Sequence, residues 1–169
     1  MKIIGPPTLV QLNVKFRLIE LQASPLFVDV MFPELWAAAV AYHLDPVGVV
    51  AQSYKETAAG RFGGQITARW FNTCGLKVRD QSIDPVLTGD QPLAHAMFPS
   101  WTVGAHAHAQ HLRAYTGWPV VTDLVVDPRY VWVIGRHAVT DYEQLGGRWA
   151  PSSTYGQQIV DIAATFREV

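Results

Sequence analysis

Two short signals divide the first third of this chain into helices: Ser24-Pro25 and Asp45-Pro46. In each, a side chain able to cap the free N–H groups of a first helical turn precedes a proline. The proline's fixed φ and missing N–H suit that turn and no later one. The pairs predict a helix from Ser24 to about His43, kinked or broken near Pro33, and a helix from Asp45 to about Ala59. Gly60 stops the second, and Gly63-Gly64 keep the chain irregular beyond it. Upstream, Leu9, Leu12, Phe16 and Ile19 recur at three- and four-residue steps, which predicts a helix over Thr8 to Glu20. Helical patterning returns from Thr102 to Tyr115. Shorter segments follow near Asp127 to Ile134, Asp141 to Leu145 and Tyr155 to Arg167. In between, Arg69 to Met97 is interrupted by Gly75, Pro85, Gly89 and Pro92 around β-prone runs such as Leu76-Lys77-Val78. The expected fold class is mainly α (α+β), with a small irregular β-lobe inserted after the third helix.

At 169 residues the chain is expected to form one domain over 1–169. That length buries roughly two-thirds of the unfolded surface, enough for a core without metal or disulfide staples. Cys74 is the single cysteine, so no intrachain disulfide can form. With 13 basic against 14 acidic residues, net −1, the chain lacks the basic bias of a nucleic-acid binder. Its most apolar stretch, Leu26 to Tyr42, carries Asp29, Pro33 and Glu34 and is too interrupted to insert in a membrane. The start, Met1-Lys2-Ile3-Ile4-Gly5-Pro6-Pro7, lacks the apolar core of a signal peptide.

The segment most suggestive of chemistry is Val49-Val50-Ala51-Gln52-Ser53-Tyr54-Lys55-Glu56-Thr57-Ala58-Ala59-Gly60. It is mostly apolar or small, as a buried helix is, and it ends on a carboxylate followed by a glycine loop. Partial burial at the lip of a cleft would raise that carboxyl's pKa and keep it protonated near neutrality, as a general acid requires. The plainer alternative is that Glu56 pairs with Lys55, Arg61 or solvent.

This segment resembles the catalytic helix of the bacterial and phage glucosaminidases (glycoside hydrolase family 73), whose pattern is roughly Ala-Gln-x-x-x-Glu-[Ser/Thr]-x-x-Gly. Ala51, Gln52, Glu56, Thr57 and Gly60 occupy those places. The family's Asn-x-x-Gly-[Ile/Leu]-Lys element is matched by Asn72-Thr73-Cys74-Gly75-Leu76-Lys77. Its later aromatic element and helix are matched by Phe98-Pro99-Ser100-Trp101 and Ala107-His108 through Tyr115. Its aromatic-Ala-x-x-x-Tyr stretch is matched, with one extra residue, by Trp149-Ala150-Pro151-Ser152-Ser153-Thr154-Tyr155. Ile4-Gly5-Pro6 is similar to the opening of many such domains, while the bulky Arg69-Trp70-Phe71 departs from the pattern. The resemblance implies a lysozyme-like fold with a cleft between a helical lobe and a small β-lobe. It implies an endo-N-acetylglucosaminidase acting on the glycan strands of peptidoglycan, with Glu56 as acid and Asn72 and Tyr155 shaping the cleft.

A glycosidase commonly uses a second carboxylate. Asp80, Asp84 and Asp90 are the candidates in the small lobe. Asp90, after Gly89 in a loop, is favoured, though an acetamido group of the substrate could serve instead. His95 lies close to the expected cleft in sequence, and Trp101 and Trp149 are the candidate sugar-stacking residues. His106, His108 and His111 invite a zinc reading, but His106 and His108 fall on different helix faces and no HExxH pattern accompanies them. No metal and no cofactor are therefore expected. Cys74 with a histidine would suggest a thiol peptidase, yet it sits where the family element needs only a small buried residue.

The alternatives are a muramidase or lytic transglycosylase on the same fold, a non-catalytic phage or cell-wall-binding module, and the thiol peptidase. The expected partner is peptidoglycan, acted on by a monomer. The expected setting is a lysin released by a phage, or one domain of a longer exported protein.

Overall fold

A computed structural model describes residues 1–78 and 94–167. The protein is mainly helical. α1 spans Gln11–Glu20, α2 Phe32–Ala41, α3 Pro46–Glu56, α4 Trp101–Tyr115, α5 Tyr130–Val133 and α6 Tyr155–Thr165. Short 3₁₀ turns lie at Ala68–Trp70 and Tyr142–Leu145. Among the described residues no helix is long and apolar enough to cross a membrane.

Both proline starts fold as their chemistry dictates. The Ser24 hydroxyl accepts from the Phe27 N–H at 3.1 Å, and the Asp45 carboxylate accepts from the Val47 N–H at 3.1 Å. The expected break at Pro33 takes a different form. A π-helical turn, Phe27–Met31, runs directly into α2, and the Phe32 N–H reaches back five residues to the Phe27 carbonyl. Pro33 offers no N–H to the preceding turn, and a widened turn absorbs that gap without ending the helix.

α3 is the central element. Every residue from Pro46 to Ser53 is buried, and the helix packs against α2 and α6. Such a helix forms regardless of propensity, because burying side chains such as Val47, Val49 and Val50 contributes about 1.5–3 kcal/mol each. α4 crosses α2, with Ala105, Ala109 and Leu112 fully buried. At Gly104 a Cβ would lie 1.8 Å from the Phe71 carbonyl oxygen, so only glycine lets the 68–71 turn press onto α4.

The expected α1 is present, but with a different face inward. Val14 and Leu18 are buried, whereas Leu12, Phe16 and Ile19 are each more than half exposed. Its register is tied to α6, where Arg17 Nε donates to the Thr165 carbonyl at 3.1 Å.

The region after α3 shows no sheet among the described residues. Lys77 and His95 form an isolated antiparallel bridge. The Val78 N–H donates to Ala94 O at 2.7 Å and the Ala96 N–H to Leu76 O at 2.8 Å. Residues 76–78 and 94–96 thus run side by side over the end of α3.

Candidate active site

Glu56 is the last residue of α3, half-buried where the chain leaves the core. Beyond it Thr57 closes the helix: its hydroxyl donates to Ser53 O at 2.8 Å and accepts from the Gly60 N–H at 3.0 Å. Ala58, Ala59 and Gly60 are all left-handed, with φ of 50°, 56° and 76°, and Phe62 follows at 58°. Each alanine there costs on the order of 1–2 kcal/mol, a local strain of the kind that clusters at functional sites. The turn places Phe62, Gln65 and Ile66 opposite Gly75 and His95. Together with Glu56 they line a cavity of about 370 Å³.

The two Glu56 oxygens meet different surroundings. Oε1 accepts a short hydrogen bond from the Tyr155 hydroxyl. Oε2 faces Gly75, where a Cβ would lie 3.9 Å away. Burial raises the Glu56 pKa above the usual carboxylate range, against smaller lowering effects from the Tyr155 hydrogen bond and the Lys55 charge. The carboxyl is thus held through one oxygen and faces open space with the other.

Behind Tyr155 lies a buried polar chain. Gln52, one turn before Glu56 on α3, donates its Nε2 to Tyr155 Oη at 3.0 Å. The Gln52 oxygen then faces His108 Nε2 at 3.1 Å, and His108 Nδ1 faces the Thr73 hydroxyl at 3.2 Å. Once the Gln52 amide donates to Tyr155, its oxygen must accept, so His108 carries its proton on Nε2 and accepts from Thr73 on Nδ1. Burial lowers the His108 pKa to about 3, assisted by His111, so the ring is neutral. Tyr155 remains a phenol, its pKa pushed well above the ordinary value by burial and by Glu56. All four bonds therefore run one way, Thr73 to His108 to Gln52 to Tyr155 to Glu56, and hold the carboxyl's orientation.

The other expected site residues divide into those that touch this cavity and those that support it. His95 lines it and lies beside Trp70, with ring centroids 6.3 Å apart. Trp101 stands behind Phe62, packed on Phe62 and Phe71 at 6.1 and 5.3 Å. Asn72 is fully buried. Its Nδ2 donates to Leu76 O at 2.9 Å and Ala96 O at 3.0 Å, and its Oδ1 accepts from the N–H groups of Cys74 and Leu76. With both N–H bonds and both lone pairs occupied, Asn72 shapes the cleft wall from behind and has no group left for a ligand. Tyr155, also buried, is bonded to Glu56 and is not among the residues that line the cavity. Asp80, Asp84 and Asp90 lie outside the described residues.

Trp149 belongs to a second compartment. It packs on His108, His111 and Tyr115 at 5.9, 4.9 and 5.2 Å. There His111 Nδ1 lies 2.8 Å from Asp127 Oδ2, both residues being buried. Cys74 borders the same compartment, and burial with the nearby Glu56 and Asp127 charges raises its pKa well above normal, making it a thiol and not a thiolate nucleophile. The three α4 histidines go to three partners, since His106 Nδ1 meets Tyr42 Oη at 3.1 Å. The Asp127 partnership was not read from sequence, and only the i, i+3 placement of His108 and His111 hinted that they share a neighbourhood. A larger cavity of about 430 Å³ lies beside Tyr42, Val103 and Leu124. Of its polar groups, Tyr42 is bonded to both His106 and Gln110, and among the described residues no carboxylate lines it.

The chain matches no known protein family, and no solved structure matches it. It is 30% identical over 112 residues to an uncharacterized protein of Borreliella burgdorferi, a match covering 66% of this chain and 50% of the relative. The chain thus spans about half the length of the curated relative it matches.

Proposed function

We propose that this protein is a peptidoglycan glycoside hydrolase, an endo-N-acetylglucosaminidase that uses Glu56 as general acid. The observation that carries the reading is the Glu56 carboxyl, fixed through Oε1 by Tyr155 and open through Oε2 to a cavity beside Gly75. Glycosidic oxygens are poor leaving groups until protonated, and a half-buried carboxyl of raised pKa can deliver that proton near neutrality. The lysozyme-like division into a helical lobe and a small β-lobe is part of the same proposal. The 76–78 and 94–96 pairing would be the base of that lobe.

Asp90 is proposed as the second catalytic group, since the segment carrying it begins and ends beside the cleft, where Val78 pairs with Ala94. Attack by the substrate's own acetamido group is the route that would need no second carboxylate. Purified bacterial walls test the reading. The wild type is expected to release reducing sugar ends, and Glu56→Gln, equally folded, is expected to release almost none. Equal release by the two proteins would end the glycosidase assignment.

A further inference from the structure

Gly75 lines two cavities. On one side lies Glu56; on the other is a smaller compartment of about 120 Å³, bordered by Lys77, His111, Tyr115, Arg129 and Trp149. Among the described residues no carboxylate lines it, and Asp127, which meets the lining residue His111, has a partner on each oxygen. Oδ2 lies 2.8 Å from His111 Nδ1, and Oδ1 accepts from the Arg129 backbone N–H at 2.8 Å. The buried Nε of the Arg129 side chain has no hydrogen-bond partner. A buried donor left without an acceptor costs about 1–3 kcal/mol, and more on a charged group. Such a group in a native fold calls for an explanation, and a ligand oxygen is one. A guanidinium is shaped to grip a carboxylate with two parallel N–H bonds. The rest of the compartment supplies an apolar wall. Tyr115 directs its hydroxyl away, to Arg148 O at 3.1 Å, and offers its ring alongside Trp149.

We infer that this compartment is a carboxylate subsite, in which Arg129 grips the acid group carried by the muramic acid unit next to the bond that Glu56 cleaves. The inference rests on the glycosidase reading for its substrate. A peptidoglycan strand alternates a neutral sugar with one bearing a lactyl ether, which ends in a free carboxylate or in a peptide that carries its own. Laid across Gly75, such a strand presents its glycosidic oxygen to Glu56 and its acidic branch to Arg129. The methyl group of the lactyl ether would rest against Trp149 and Tyr115. A neutral chitin-type strand fits the same groove but leaves Arg129 without its partner, so the subsite would distinguish wall glycan from chitin.

The test is a titration followed by NMR at the Trp149 indole N–H. The probes are N-acetylglucosamine, N-acetylmuramic acid, and muramyl dipeptide, whose carboxylate lies on the peptide. Both acidic probes are expected to shift the Trp149 signal, the stronger marking the source of the carboxylate, while N-acetylglucosamine leaves it in place. Arg129→Gln is expected to weaken the acidic probes about tenfold or more. Arg129→Lys, which keeps the charge and loses the fork, should fall between. No shift at Trp149 with either acidic probe, or equal shifts with N-acetylglucosamine, overturns the subsite, as does unchanged binding in a folded Arg129→Gln. Failure of the glycosidase reading looks different: peptidoglycan is left uncut by the wild type, whatever the titration gives.

Discussion

Two carboxylates lie near the compartments that meet at Gly75, Glu56 half-buried and Asp127 buried, and they are treated in opposite ways. Glu56 is hung from a single phenol, with one oxygen facing open space. Asp127 is tied off on both oxygens, by an imidazole and a backbone N–H. The first arrangement leaves one carboxyl oxygen open to a cavity; the second fixes a histidine while the neighbouring Arg129 Nε has no hydrogen-bond partner. Burial alone thus does not define a catalytic acid. What matters is which atoms are left without partners, and toward which space they point.

Glu56→Gln should break the comparison most severely. Loss of a general acid removes on the order of 10² to 10⁴ in rate, read as reducing ends released from purified walls. The same variant should change stability in a pH-dependent way. A carboxyl whose pKa is raised in the fold contributes stability below its unfolded pKa and loses it as pH rises through the folded value. Glu56→Gln should therefore melt above the wild type at neutral pH, with the difference vanishing in acid. A variant that melts lower at neutral pH would show that Glu56 is a structural ion pair.

Tyr155→Phe comes next, with an expected rate loss of about tenfold. The Tyr155 hydrogen bond lowers the Glu56 pKa, so removing it raises that pKa further. A general acid works while protonated, so the alkaline limb of the pH–rate profile should move to higher pH. A limb that stays in place, or moves down, would separate Tyr155 from Glu56.

Asp127→Asn sharpens the contrast. It should cost about 1–3 kcal/mol, measured by denaturant melts, because His111 and the Arg129 N–H lose a charged acceptor. On a neutral chitin oligosaccharide its rate should stay within about threefold of wild type, since the change lies beyond Gly75 from the acid. A loss as deep as that of Glu56→Gln would make the two carboxylates one catalytic unit. The smallest effect is expected from Cys74→Ala, whose activity should be unchanged, because the buried thiol is held protonated.

Local chemistry was legible and long-range pairing was not. Ser24 and Asp45 revealed helix starts because a cap acts within three residues. Glu56 stood out because its helix is otherwise apolar and a glycine follows. Periodicity found α1 but chose the wrong stripe: Leu12, Phe16 and Ile19 repeat as well as Val14 and Leu18, and docking onto the body decides between them. Gln52 meets Tyr155 from 103 residues away, and His111 meets Asp127 from the far side of a loop. No spacing rule reports such partners. Asn72 was expected to shape the cleft, and its side chain braces the 72–76 turn and the 96 carbonyl, partners that its sequence context does not report.

Mass spectrometry of the fragments from purified peptidoglycan tests the central claim most directly. The account predicts fragments ending in reducing N-acetylglucosamine, produced by the wild type and absent with Glu56→Gln. Ends in reducing or anhydro N-acetylmuramic acid would keep the acid and change the bond. Glycan strands left intact, or cleavage confined to the peptides, would contradict the account.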